Sequence, residues 1–139
     1  MLTDHQKSLV QQSWTKVAQD PDRVAGLFYN KLFELDPSTK RLFDNTDIVE
    51  QGRRITQMVT VFVGDIGMIE AIVPAVHAMG KRHVDYGVTE AQYASLGESL
   101  YWALEQVLGP DWTPEVATAW RTTYELLADT MKAGARHPH

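Results

Sequence analysis

Apolar residues recur along this chain at spacings of three and four, the period of a helix with one buried face, and no run of strict apolar–polar alternation predicts a strand. Thr3 followed by Gln6 has the pattern of a capping box and predicts the start of a first helix. An aspartate before a proline predicts two further starts, with Pro21 and Pro37 at first helical positions. The helix that begins at Pro37 is short and ends at about Leu42.

The second half of the chain predicts four more helices. They run from about Asp47 to the Gly64–Gly67 stretch, over roughly Ile69–His83, from Thr89 to the Gly109-Pro110 stop, and from Thr113-Pro114 to a frayed tail at 134–139. Seven or eight helices of unequal length with short connectors indicate an irregular all-α fold, and not an up-and-down four-helix bundle. With 139 residues the chain has the size of one domain, over residues 1–139.

The composition of the chain limits which binding partners and which cellular setting are expected. Hydrophobic residues make up 44% of the chain, which is enough for a packed core. The net charge of −5 argues against nucleic acid and against an anionic membrane, because both attract a basic surface. No apolar run is long enough for a signal peptide or a membrane span. The chain has no cysteine, so disulfides and thiolate metal sites are excluded, and we expect a cytoplasmic protein.

Three polar residues fall on apolar helix faces, where the periodicity predicts burial. His83 follows the stripe of Val76 and Met79, Gln51 lies among isoleucines and valines, and Tyr29 lies beside Phe28. A buried polar group without a hydrogen-bond partner costs roughly 1–3 kcal/mol. Either the chain or a cofactor must therefore supply a partner for each of the three.

Each of these residues also has a purely structural explanation. A histidine on an apolar face can be a hydrogen-bonded core residue, a glutamine can belong to a network at a helix crossing, and a tyrosine can direct its hydroxyl to the surface. The motifs of a carboxylate-bridged di-iron site, a zinc protease or a phosphate loop are missing. A helical interaction module without a cofactor therefore remains a competing interpretation.

The order of several short motifs resembles the globin family over nearly the whole chain, most closely the bacterial single-domain haemoglobins and the neuroglobin-like globins. These motifs are Leu27–Phe33 with Asp36-Pro37 and Leu42-Phe43, then Gly80–His83 with Tyr86–Val88, and finally Gly97–Leu100, Leu108–Pro110 and Ala119-Trp120. The resemblance implies a 3-over-3 globin fold of seven to eight helices around a haem pocket, with haem b as the cofactor.

The resemblance also implies roles for individual residues. His83 matches the proximal histidine that binds the iron, with its other ring nitrogen held by a backbone carbonyl near Met79. Phe43 matches the corner phenylalanine that stacks on the porphyrin. Tyr29 and Gln51 match the residues that face the bound gas on the opposite, distal side of the iron. Because Gln51 stands where many globins have histidine, internal bis-histidine coordination through this position is not expected.

Further positions complete the implied pocket. Ile55 matches the aliphatic residue that crowds the gas, and Ala25 and Gly52 match small residues where the two distal helices cross. The remaining pocket positions are Val59, the propionate candidates Arg54 and Lys81, and the proximal rim of Val84, Val88 and Tyr93. For Arg54 and Lys81 a solvated surface charge, and for the rim residues ordinary packing, are equally open interpretations.

The function implied by the resemblance is tight, reversible binding of dioxygen, and also of CO and NO. The enzymatic alternative is nitric oxide dioxygenation with a separate reductase, because no flavin or nicotinamide segment is present. A gas sensor or interaction domain with the globin fold is the third interpretation. Tyr124 matches a tyrosine that, with a glutamate, stands behind the proximal histidine in some relatives. No acid follows Asp129, so peroxidase-like activity is not expected.

Overall fold

The computed structural model describes residues 2–43, 47–64 and 90–136, together with 74, 76 and 78. Its elements are α1 (Asp4–Val17), α2 (Pro21–Leu35), a 3-10 helix (Pro37–Phe43), α3 (Ile48–Gly64), α4 (Glu90–Leu108), a 3-10 turn (Gly109–Asp111) and α5 (Pro114–Arg136). No residue of these described ranges lies in a β-strand. The predicted all-α class is therefore confirmed. Most of the helix predicted over Ile69–His83 lies outside the described residues.

Capping hydrogen bonds confirm the predicted starts of α1 and α2. Gln6 N donates to Thr3 Oγ1 at 3.1 Å, and Thr3 N donates to Gln6 Oε1 at 3.0 Å, which completes the capping box. At α2, Asp20 accepts from the amide of Arg23 at 3.2 Å, ahead of the proline at the first helical position. Each bond satisfies an amide that has no partner within its own helix, so local sequence alone determines these boundaries.

The end of α4 lies where the sequence predicts it, whereas the end of α5 lies further along the chain than predicted. Helix α4 ends at Leu108, and Gly109 adopts a φ of +54°, a left-handed conformation that favours glycine. Helix α5 continues to Arg136, so the chain remains helical past Gly134, where we expected the tail to begin. None of the helices described has the length and apolar character needed to cross a membrane.

The larger part of the core joins α1 to the rest of the molecule. Trp14 on α1 and Trp120 on α5 pack with ring centroids 5.9 Å apart. Both indole N–H groups have partners: Trp120 donates to Ser13 Oγ at 2.8 Å, and Trp14 donates to Thr60 Oγ1 on α3 at 2.9 Å. These bonds link α1 to two other helices, which fixes how α3 lies against the core.

A second, smaller cluster of apolar residues lies between α4 and α5. Its buried members are Val76, Tyr93, Ala128 and Met131, with Phe62, Leu96, Tyr124 and Leu127 packed against them. Tyr124 and Phe62 also pack against the larger core. The smaller cluster therefore extends from the main core toward the part of the chain that contains Val76, before α4.

Candidate functional site

Helices α2 and α3 cross with their backbones in close contact. A Cβ atom built on Gly52 would lie 2.7 Å from Ala25 Cβ and 3.5 Å from Tyr29 Cε2. Since real Cβ atoms do not approach each other so closely, the crossing requires a residue without a side chain at Gly52. The expectation that Ala25 and Gly52 are the small residues of this crossing is confirmed. As a result, the Tyr29 ring lies beside the α3 backbone.

Aromatic rings surround Tyr29. Its ring centroid lies 5.2 Å from that of Phe28, 6.0 Å from that of Phe33 and 5.1 Å from that of Phe43. Phe33 and Phe43 are also in contact, with centroids 5.9 Å apart. The structure thus brings together Tyr29 and Phe43, two residues that the sequence placed in one pocket. Tyr29 is only 2% exposed, so its ring is part of the protein interior.

The hydroxyl of Tyr29 is buried and has no hydrogen-bond partner anywhere in the described part of the chain. Burial raises the pKa of Tyr29 well above its ordinary value, so the hydroxyl keeps its proton and remains a donor. Leaving such a donor unpaired costs roughly 1–3 kcal/mol. A buried donor that the protein itself does not satisfy is the arrangement expected for a group that binds a ligand.

Gln51 immediately precedes the glycine of the crossing. Its backbone amide donates to the Asp47 carbonyl at 2.9 Å, and its side chain is half-buried. Within the described residues the Gln51 side-chain amide has no hydrogen-bond partner, so it stays available for one. Ile55 and Val59 follow at helical spacing and are also half-buried. These three residues share one side of α3, as the apolar stripe predicted.

Arg54 lies on the exposed side of the same helix. Its Nη2 pairs with Glu50 Oε1 at 2.8 Å, and its side chain is 65% exposed. This pair is an ordinary surface contact one helical turn apart, of the kind that contributes little to stability. The structure therefore shows the surface-charge arrangement that was one of the two interpretations of Arg54. A contact with a haem propionate stays a prediction.

Tyr93 is 4% exposed and belongs to the smaller core cluster. Its backbone carbonyl accepts a hydrogen bond from the Tyr124 hydroxyl at 2.6 Å. The predicted iron ligand, His83, lies outside the described residues, as do Met79, Lys81 and Val88. Among the residues that are described, no group of three or more histidine, cysteine or carboxylate side chains is arranged to hold a metal ion.

Two features of the site were missed by sequence reasoning. Phe33 contacts both Tyr29 and Phe43, although it was not among the pocket positions predicted from the sequence. The signal was present, since Phe33 follows Tyr29 by four residues and so lies on the same helix face. The contact between Tyr124 and the backbone of Tyr93 had no such signal, because it joins two separate helices.

A family model for globins matches residues 26–131, which is most of the chain. The protein therefore belongs to the globin family, whose members bind haem. The fold agrees with this, and the described residues fit such a pocket: aromatic rings form an apolar wall, and the one hydroxyl enclosed by that wall lacks a partner.

Three named proteins are similar to this chain over most of its length. An anaerobic nitrite reductase of Physcomitrium patens is 27% identical over 91% of this chain and 78% of its own length. Neuroglobin of Danio rerio is 24% identical over 96% of this chain and 92% of its own length. A flavohemoprotein of Halalkalibacterium halodurans is 29% identical over 94% of this chain, which spans only 32% of that protein.

Among solved structures, an engineered carbene transferase from Rhodothermus marinus, named as a nitric oxide dioxygenase, is 25% identical. It superposes with a TM-score of 0.87, covering 99% of this chain and 95% of its own. The likeness extends over the whole fold, in agreement with the family assignment.

Proposed function

We propose that this globin reversibly binds dioxygen, and also CO and NO, at a haem b group. The observation that carries the proposal is the buried Tyr29 hydroxyl without a partner in the described chain. Its apolar surroundings strengthen any hydrogen bond that it donates, because the local dielectric is low. His83 is the proposed iron ligand. The other proposed pocket residues are Phe43, Gln51, Arg54, Ile55, Val59, Met79, Lys81, Val88 and Tyr93.

A bound haem would supply an iron that coordinates diatomic gases and shifts electron density onto dioxygen. The contribution of the chain is to place donors where that charge develops. Tyr29 offers a neutral hydroxyl and Gln51 offers an amide, and neither is committed to another residue of the described chain. A charge-assisted hydrogen bond contributes about 1.5–3 kcal/mol. Dioxygen is therefore held tightly, whereas CO, which carries little charge, gains much less.

The test is the rate at which dioxygen leaves the haem-loaded protein. We expect Tyr29→Phe to release dioxygen roughly ten to a hundred times faster, from the loss of one charge-assisted bond. Stopped-flow displacement of dioxygen by CO measures this rate. CO dissociation in the same variant should change little, because that ligand accepts a weaker hydrogen bond.

Tyr101→Phe is the matched control for this experiment. Tyr101 is also a largely buried tyrosine, but it lies on α4 and lines an open surface cleft. The Tyr101→Phe variant should release dioxygen at the rate of the unmodified protein. If Tyr29→Phe releases dioxygen at the rate of the unmodified protein, Tyr29 does not donate to the bound gas. A protein that takes up no haem would refute the proposal altogether.

A second candidate function is nitric oxide dioxygenation. It is favoured by relatives named as a flavohemoprotein and as a nitric oxide dioxygenase. The reaction combines NO, dioxygen and one electron to give nitrate, so it requires an electron donor, and the donor that we propose is a reductase. Rapid mixing of the dioxygen-loaded protein with NO should yield one nitrate per haem. The rate of multiple turnover should then depend on the concentration of an added flavin reductase. If the single-turnover reaction yields no nitrate, this candidate function is excluded.

A further inference from the structure

The hydroxyl of Tyr124 on α5 makes one well-defined hydrogen bond, to the Tyr93 carbonyl at 2.6 Å. In an α-helix that carbonyl is also the acceptor for the amide four residues later, which is Gly97. A carbonyl oxygen has two lone pairs and can accept both bonds. Tyr124 therefore holds the backbone of the first turn of α4 from outside that helix.

Gly97 is what allows the Tyr124 ring to approach. A Cβ on Gly97 would lie 2.8 Å from Tyr124 Cε2 and 3.1 Å from Tyr124 Cδ2, so any side chain would push the ring away. Tyr101, one turn further along α4, contacts the same ring edge-on, with centroids 5.9 Å apart. The bare backbone at Gly97 and the Tyr101 ring together define where the Tyr124 ring lies.

The ring of Tyr93 is held from the same helix. It packs among Ala128 and Met131 of α5, and the Lys132 ammonium lies 5.5 Å from its ring centroid. The backbone carbonyl and the ring of Tyr93 are therefore both held by residues of α5. A tyrosine hydroxyl carries a single proton, and Tyr124 donates that proton to the Tyr93 carbonyl.

We propose that Tyr124 is a positioning residue that sets where the Tyr93 ring lies relative to the haem. This inference rests on the proposed function, since it takes Tyr93 as a residue of the haem pocket. It assigns Tyr124 a mechanical role, exerted through the backbone of Tyr93. Loss of the hydroxyl removes this bond from the Tyr93 carbonyl, and the first turn of α4 then shifts together with the Tyr93 ring.

The experiment is NMR of the haem-loaded, CO-bound ferrous protein, with carbonyl and tyrosine-ring carbons labelled. The porphyrin ring current shifts nearby protons by an amount that depends on position, so the Tyr93 ring signals report its placement against the haem. We expect Tyr124→Phe to move both the Tyr93 carbonyl signal and the ring-current shift of the Tyr93 ring. Tyr101→Phe keeps the Tyr124 hydroxyl and should leave both signals in place.

Gly97→Ala provides a second, independent variant if Tyr124→Phe folds poorly. It keeps the Tyr124 hydroxyl but displaces the ring, so it should move the same two signals. If the Tyr93 ring signals do not move in either variant, the inference is overturned. This outcome does not depend on whether the variants still bind dioxygen. Tyr93 ring signals without a haem ring-current shift would overturn it as well. A protein without any haem would instead refute the proposed function, and the two failures are thus distinguishable.

Discussion

Tyr29 and Tyr124 are both buried tyrosines, and their hydroxyls have opposite effects on stability. The Tyr124 hydroxyl donates to the Tyr93 carbonyl, whereas the Tyr29 hydroxyl has no partner in the described chain. A satisfied buried hydrogen bond stabilises by about 0.5–1.5 kcal/mol, and an unsatisfied donor costs about 1–3 kcal/mol. The protein therefore tolerates a destabilising group at Tyr29, as expected where a side chain is retained for binding.

This contrast predicts opposite shifts in the free energy of unfolding of the haem-free chain. Tyr29→Phe should stabilise by about 1 kcal/mol or more, because it removes a donor that was desolvated without compensation. Tyr124→Phe should destabilise by about 1 kcal/mol, because the Tyr93 carbonyl loses a bond. Urea unfolding followed by circular dichroism measures both. If Tyr29→Phe destabilises as much as Tyr124→Phe, the Tyr29 hydroxyl is not an unpaired group.

The crossing of α2 and α3 is the element-scale feature on which the distal side depends. Gly52 contacts Ala25 and the Tyr29 ring, so it sets the distance between the two helices. Trp14 contacts the same α3 about two turns further along, where its indole N–H donates to Thr60 Oγ1 at 2.9 Å. The position of Gln51, one residue before Gly52, follows from this close packing more than from any contact of its own side chain.

Gly52→Ala should therefore destabilise the protein by about 1–3 kcal/mol, the cost of overpacking a close contact, despite the better helix propensity of alanine. Adding Ala25→Gly should restore most of the loss, because it removes the atom that the new methyl group meets. A double-mutant cycle from urea unfolding measures this coupling.

The matched control for that cycle is Gly26→Ala, in the same helix as Ala25. A Cβ at Gly26 would meet nothing within 4 Å. The substitution should stabilise by up to about 1 kcal/mol through helix propensity alone. Additive effects of Gly52→Ala and Ala25→Gly would contradict the close crossing.

At the scale of the whole molecule, burial of phenols links the stability of the fold to alkaline pH. Desolvation raises the pKa of Tyr101 to about 12, and it raises the pKa values of Tyr29 and Tyr124 further above the ordinary range. In the unfolded chain a tyrosine ionises near 10. Below that pH both states keep these protons. Above it the unfolded state releases them while the folded state does not, so the unfolded state is favoured.

Stability should consequently be constant with respect to these groups below about pH 10 and fall as the pH rises from about 10 toward 12. The free energy of unfolding, measured in urea from pH 8 to pH 11.5, should decline with a slope that counts the protons involved. Tyr101→Phe should make the decline shallower by as much as one proton. An identical slope in that variant would show that Tyr101 titrates alike in both states.

Much of the helical framework follows from local sequence. The capping box at Thr3, the proline starts at Pro21 and Pro37 and the stop at Gly109 depend on residues at most four apart, whose contacts form within a single helix turn. The apolar stripe that contains Gln51 also follows from helical periodicity, since it needs only the geometry of one helix. For these features, the sequence predicted what the structure contains.

Placement of the candidate site depended partly on the resemblance to globins and partly on packing. Tyr29 and Phe43 were assigned to one pocket by resemblance, and their centroids lie 5.1 Å apart in the fold. The roles proposed for Gln51, Arg54 and His83 stay predictions. The contact of Phe33 with Phe43 was missed, because it requires knowing how the 3-10 helix folds back onto α2.

The sequence by itself determined the helix type, most helix boundaries and which residues face inward, because these depend on short-range geometry and on the free energy of burying apolar side chains. Only the tertiary structure decided which buried polar groups find partners. Tyr29 and Tyr124 both lie on apolar helix faces, yet one hydroxyl meets a carbonyl of another helix and the other meets none. Whether a buried donor has a partner depends on atoms that are far away in sequence. The distance between donor and acceptor must be correct to within a few tenths of an ångström, and helical periodicity contains no information about that distance.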